Sequence, residues 1–137
     1  MKSHTCRVLL VDDHEPVRSA LRVLLATYRD IEVIGEARDG EEAIISTVSC
    51  QPEIILMDID MPRMNGIEAT TVIKKSRKQT SIIGLCVVHD TYAVEAFFKA
   101  GGLAVVSKQR LQDLRSTIER ACINRSHAST NRPEPPC

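Results

Sequence analysis

Two apolar runs in this sequence stop at acid. Cys6-Arg7-Val8-Leu9-Leu10-Val11 ends in Asp12-Asp13, and Ile54-Ile55-Leu56-Met57 ends in Asp58-Ile59-Asp60, followed by Met61-Pro62-Arg63-Met64-Asn65-Gly66. A short apolar run between turn signals suits a strand covered on both faces, and the Pro, Asn and Gly make the stretch after Asp58 a loop. Ligands of open α/β sheets bind beyond the carboxyl ends of the strands, so acids at those ends are placed for chemistry. The plainer alternative is that Asp58 or Asp60 only caps the next helix.

Carboxylates gathered from two strands cannot all ionise together without a compensating cation, because like charges raise one another's pKa. A hard divalent ion with oxygen ligands removes that repulsion. Mg²⁺ fits, since it keeps several waters and usually serves phosphate groups. Lys108, after the run Leu103-Ala104-Val105-Val106-Ser107, supplies a point charge suited to a phosphoryl oxygen. Acids, magnesium and lysine together make a phosphoryl-transfer site.

The elements that must position these groups alternate strictly. After strand one, Pro16 in a first turn and Val17, Ala20, Leu21, Leu24, Leu25 and Tyr28 at helical spacing predict a helix over 15–28. A strand over 31–37 follows. Asp39-Gly40 then opens a helix with Ala43, Ile44, Thr47 and Val48 on its inner face, ended by Pro52. Beyond the Asp58 strand, a third helix carries Ile67, Thr70, Ile73 and Lys74, and its end holds Lys74-Lys75-Ser76-Arg77-Lys78. Cations there suit the helix dipole better than they suit a nucleic-acid patch. A strand over 82–88, a helix over 91–100 stopped by Gly101-Gly102, the Lys108 strand and a helix through Leu111, Leu114, Ile118, Ala121 and Cys122 complete the pattern. Alternating strands and helices imply right-handed crossovers and a parallel sheet with helices on both faces. Periodicity is lost after about Arg125, and 126–137 reads as a disordered Pro-rich tail or the start of a linker behind a domain spanning 1–125.

Bulk properties narrow the function. A chain of 137 residues affords one core. Eighteen basic and eighteen acidic side chains cancel, which argues against DNA binding by this chain alone. Cys6, Cys50, Cys86, Cys122 and Cys137 are odd in number and widely spaced, and support neither a disulfide framework nor a zinc site. No run approaches the about 18 apolar residues of a membrane span, and no signal-peptide stretch opens the chain. The expected home is a reducing cytoplasm.

Asp12-Asp13, then Asp58 with Met61-Pro62-x-x-Asn65-Gly66, then a small residue at Cys86 and Lys108 22 residues later resemble the receiver domain of two-component response regulators. The likeness covers about residues 5–124. Asp12-Asp13-His14 and Met57-Asp58-Ile59-Asp60-Met61-Pro62 look nearest to receivers that precede a LuxR-type helix-turn-helix effector. The resemblance implies a flavodoxin-like (βα)5 fold, five parallel strands in the order 2-1-3-4-5. It implies Asp58 as phosphoacceptor from a histidine kinase or phosphotransfer protein, and Asp12, Asp13, Asp58 and the Asp60 backbone carbonyl as Mg²⁺ ligands. Lys108 neutralises the phosphoryl group in such proteins, the product is an aspartyl phosphate, and the output is a changed surface rather than turnover. Control of a transcription effector, possible homodimers, and DNA contact only through an effector domain complete the expectation.

Two departures from the pattern matter. Cys86 stands where the family has a switch Thr or Ser, and its thiol is a weaker donor. Gln109 stands where many receivers have proline, which predicts a freer lysine loop, and Val105 replaces an aromatic that rotates in some receivers. On the fourth helix, Ala93, Phe97 and Ala100 are expected to face the sheet, leaving Val94 and Phe98 with Val105 as an apolar partner surface. His14 and His89 are expected to be solvated loop residues. Competing functions are a haloacid-dehalogenase-type enzyme using Asp58-x-Asp60, disfavoured by Pro62 and by the motif's place on the third strand, and a pseudo-receiver scaffold whose switching Cys86 has weakened.

Overall fold

The computed structural model describes residues 5–61, 65–87 and 90–128. Pro62, Arg63, Met64, Val88, His89 and the Pro-rich segment after Ala128 lie outside the described residues. The elements run β1 (Cys6–Val11), α1 (Glu15–Ala26), β2 (Ile31–Ala37), α2 (Gly40–Cys50), β3 (Ile54–Asp58), α3 (Gly66–Ser76), β4 (Ser81–Cys86), α4 (Thr91–Ala100), β5 (Ala104–Ser107), a 3₁₀ turn (Leu111–Asp113) and α5 (Leu114–Ala128). Every strand pair is parallel and the sheet order is β2-β1-β3-β4-β5, the flavodoxin-like arrangement.

Because side chains alternate across a strand, the central strands feed two cores. Val8, Leu10, Ile54, Leu56, Ile83 and Leu85 pack under α1 and α5. Leu9, Val11, Ile55, Met57 and Ile82 pack under α2, α3 and α4, where Phe97 is fully buried. β1 and β3 are buried at every position, so the acids at their tips grow out of the most constrained backbone in the molecule.

The helix signals act as capping chemistry demands. Asp39 accepts from Glu42 N, Asn65 from Glu68 N, and Asp90 from Tyr92 N and Ala93 N. Asn65, not Asp58 or Asp60, therefore caps α3. Gly101 ends α4 at φ 113°, a left-handed value that favours glycine. Lys74 Nζ donates to Lys78 O at 2.7 Å and Thr80 O at 2.6 Å, so this basic side chain serves the carbonyls beyond its own helix.

Several expectations are corrected. α1 stops at Ala26, where Thr27 N turns back to Leu24 O. The inner line of α2 is Gly40, Ala43, Thr47 and Cys50, and Val48 is 63% exposed, because a 3.6-residue repeat carries the stripe from Thr47 to Cys50. β4 ends at Cys86, and α5 runs on to Ala128, past the expected boundary at 125. Cys6 and Cys122 form a disulfide with Cα atoms 6.3 Å apart, against the expectation of none. Their separation of 116 residues concealed the pairing, since α5 returns across the face of β1 only once the sheet is wound.

Gly66 admits no side chain. A Cβ there would sit 2.9 Å from Ile59 Cα and would collide with the Asp58 carbonyl, both backbone atoms that cannot yield cheaply. Gly66→Ala is expected to destabilise the protein by about 1–3 kcal/mol, as overpacking does. Urea unfolding checks it, and the shift should exceed that of Gly35→Ala, whose Cβ would meet only Leu9 Cδ1 at 3.4 Å.

Candidate functional site

At the carboxyl edge of the sheet, β1 delivers Asp12 and Asp13, β3 delivers Asp58, β4 ends at Cys86 and β5 leads into Lys108. Lys108 Nζ lies 2.6 Å from Asp12 Oδ2 and 3.3 Å from Asp58 Oδ2. The Asp12 and Asp58 side chains are only 1% and 3% exposed. Asp58 Oδ1 accepts from Asp60 N at 2.9 Å, and Asp12 Oδ1 accepts from His14 N at 2.9 Å. Each acid thus has one oxygen on backbone and one facing the lysine.

Asp12, Asp13, His14 and Asp58 offer ligand atoms that all lie within 4.8 Å of one another. Asp13 Oδ1 is buried without a hydrogen-bond partner, although His14 Nδ1 is 3.1 Å away. With all three carboxylates ionised, one ammonium leaves two negative charges in a largely buried site, the deficit a divalent cation fills. An orphaned carboxylate oxygen among hard oxygen donors fits Mg²⁺. The Asp60 side chain is exposed and stands outside this side-chain cluster.

Burial pushes the Asp58 carboxyl above its ordinary pKa and the neighbouring Asp12 charge adds to this, outweighing the hydrogen bond from Asp60 N and the charge of Lys108. Burial works against the charge of Lys108, but its hydrogen bond to Asp12 and the charge of Asp58 hold its pKa above the ordinary value. Burial also pushes the Cys86 thiol up, and the Asp60 charge adds to it. Cys86 is a buried thiol, 3% exposed, and poorly suited to redox chemistry.

The lysine loop is tighter than its missing proline suggests. Lys108 N donates to Cys86 O at 2.7 Å, Gln109 N to Ser107 Oγ at 3.1 Å and Arg110 N to Ser107 O at 2.9 Å. Sequence reasoning also missed Arg18. This buried side chain on α1 donates through Nη1 to Asp12 O at 2.6 Å and through Nε to Glu36 Oε1 at 2.9 Å. Burial opposes the charge of Glu36, but the hydrogen bonds from Arg22 and Arg18 hold its carboxyl below the usual range. Arg18 clamps the backbone of Asp12 from behind. Its only sequence signal was a charge between Val17 and Leu21 on the inward face of a helix.

α4 divides its two phenylalanines as expected: Phe97 is buried and Phe98 is 46% exposed. Val94 is half-buried, and Val105 packs partly against the core shared with α2, α3 and α4. Tyr92 is also 87% exposed and Leu103 48% exposed. His14 is largely exposed, yet its ring reaches the acids.

A model of the response regulator receiver domain matches residues 8–119, and the chain belongs to that family. It is a two-component signalling module rather than a dehalogenase-type enzyme, and among the described residues no helix is long and apolar enough to cross a membrane. It is 45% identical over 102 residues, 74% of this chain and 48% of the relative, to the transcriptional regulatory protein LiaR of Bacillus subtilis (strain 168). Identity to the response regulator protein VraR of Staphylococcus aureus (strain NCTC 8325 / PS 47) is 48% over 81 residues, 59% of this chain and 39% of VraR. The chain spans about half the length, or less, of the curated relatives it matches. Among solved structures, a LuxR-family two-component response regulator from Aurantimonas sp. SI85-9A1 superposes with a TM-score of 0.83 at 30% identity, covering 88% of this chain and 86% of that one. The response regulator domain of Thermotoga maritima CheB gives 0.81 at 29% identity, covering 86% and 96%.

A carboxyl with a higher pKa in the folded than in the unfolded chain binds more protons when folded. Stability therefore falls as pH rises from the ordinary value of 3.8 through the raised one, and the deficit persists above it. Asp58→Asn is expected to have a higher urea midpoint than the parent at pH 7 without divalent cations. The gap should close as pH falls below 3.8, and an equal or lower midpoint at pH 7 would contradict the account.

Proposed function

We propose that Asp58 accepts a phosphoryl group from a phosphohistidine of a histidine kinase or phosphotransfer protein. The arrangement of Lys108 supports this most directly, because one ammonium is shared between Asp12 and Asp58 and is free to follow new negative charge on Asp58. An Asp58 carboxylate oxygen attacks phosphorus, the phosphorus–nitrogen bond of the donor breaks, and the departing imidazole takes a proton. Backbone N–H of Asp60 orients the carboxylate by holding Oδ1. Asp12, Asp13, Asp58 and the Asp60 carbonyl are the groups that would hold Mg²⁺. When bound, it offsets charge on the phosphoryl oxygens during transfer.

Once phosphorylated, Asp58 presents acceptor oxygens to the end of β4. Cys86 offers them a thiol, a weaker donor than a hydroxyl, so the switch closes incompletely. The surface it biases is Val94, Phe98 and Val105 together with Tyr92 and Leu103. Through that surface the domain pairs with itself or a partner and controls a transcription effector, a reading supported by the likeness to LiaR, which is named a transcriptional regulatory protein.

Acetyl phosphate with Mg²⁺ should add one phosphoryl group to the parent by intact mass and none to Asp58→Asn. Lys108→Ala should be phosphorylated at least about tenfold more slowly, from loss of a charge that acts on the transferring group. Cys86→Thr should shift the phosphorylated protein about fivefold toward its active, more associated form, the equivalent of one hydrogen bond of about 1 kcal/mol. Absence of phosphate on the parent under these conditions would overturn the proposal.

A further inference from the structure

At the opposite end of β1 from the acids, the Cys6–Cys122 disulfide joins the first residue of that strand to α5. α5 rests on the sheet through Leu114, Ile118 and Ala121, and Cys122 is its last described side chain packed there, since Ile123 is 56% exposed. Among the described side chains, apolar burial is thin beyond Ile118, because Ala121 is small. The two residues also differ in access: Cys6 is 3% exposed, whereas Cys122 is half-buried.

We propose that Cys6 and Cys122 form a reversible thiol–disulfide clamp on the C-terminal turns of α5, set by low-molecular-weight disulfides and thiols. On oxidation the Cys122 thiolate attacks a small disulfide RSSR, forming a mixed disulfide and releasing RS⁻. The Cys6 thiolate then attacks Cys122 Sγ and releases a second RS⁻. Two electrons pass from the protein to RSSR, and the two protons lost from the cysteines leave on two RSH. Reduction is the reverse, beginning with attack of a small thiolate on the accessible Cys122 sulfur.

A metal reading competes, because Cys6, Glu53 and Cys122 offer ligand atoms within 4.8 Å of one another. The sulfurs are bonded to each other, however, and Glu53 Oε1 accepts from Arg7 N at 3.1 Å. Those observations favour a cystine over a thiolate–carboxylate site. Residues Cys6 to Val11 separate the clamp from the acids by about 17 Å of strand. Its state should therefore leave phosphorylation of Asp58 within about twofold.

The test equilibrates the full chain in glutathione buffers from reducing to oxidising and maps alkylated peptides by mass. The same samples are followed by amide hydrogen exchange. A Cys6–Cys122 linked peptide should appear in oxidising buffer and vanish in reducing buffer, with amides of 119–128 exchanging at least about tenfold faster once reduced. Cys122→Ser should exchange at the fast rate in both buffers, and Cys6→Ala should do the same if serine at the half-buried position alters the fold. No linked peptide at any ratio, equal α5 exchange in both states, or stoichiometric zinc retained by the reduced protein would overturn the proposal. Acetyl phosphate labelling of the same samples reports separately on the phosphoryl reading, which can fail while the clamp stands.

Discussion

Two nearly inaccessible carboxylates share one ammonium, and the fold is arranged to keep that imbalance in place. Asp12 and Asp58 stand at the ends of adjacent parallel strands, in register through Val11 and Met57, so their separation is set by the sheet and not by side-chain choice. Buried charge of this kind destabilises a fold unless paired. The strands carrying it are accordingly buried along their whole length, between two apolar layers. Stability comes from the layers, and the sheet edge retains a charge deficit for chemistry.

Support around the acids is mostly backbone and second-rank polar contact. Asp60 N orients Asp58, His14 N orients Asp12, and Arg18 reaches from α1 to hold the Asp12 carbonyl while Glu36 anchors Arg18. Lys108 is aimed by its own amide, bonded to Cys86 O, so β4 and the lysine loop are mechanically joined at Cys86. Any inward movement of the β4 end is felt by the lysine without passing through solvent. In the proposed switch, the thiol of Cys86 would change how strongly that joint is driven and leave the joint itself intact.

The alternation of strands and helices and the acids were legible because each rests on a local signal: an apolar run ending in Asp, a Pro or Gly at a terminus, an Asn or Asp at a cap; the sheet order came only from the family resemblance. What escaped depends on encounters across the fold. Arg18 looked like an ordinary helix charge, since nothing in its neighbours says that Glu36 lies behind it. Val48 was expected on the inner face of α2 and lies outside it, because packing on the sheet selects the line Ala43, Thr47 and Cys50. Cys6 and Cys122 were dismissed on spacing, although spacing along a wound chain says little about distance in space. Ser107, which secures the lysine loop in place of a proline, carried only the weak signal of a hydroxyl two residues before Gln109.

β1 thereby serves two chemistries that need opposite surroundings. Its carboxyl end presents hard oxygen donors, while its amino end presents sulfur against an apolar helix. A strand buried on both faces is stiff enough to keep them apart, because a shift of register would move every side chain to the wrong layer. Communication between the two ends cannot then run along β1. The remaining covalent route leads from Lys108 through the 3₁₀ turn at Leu111–Asp113 into α5, the element that carries Cys122. Leu114 and Ile118, buried between those points, make this stretch of α5 a fixed strut. The clamp consequently governs only the turns beyond Ile118, and the lysine end of the same helix keeps its place in either redox state.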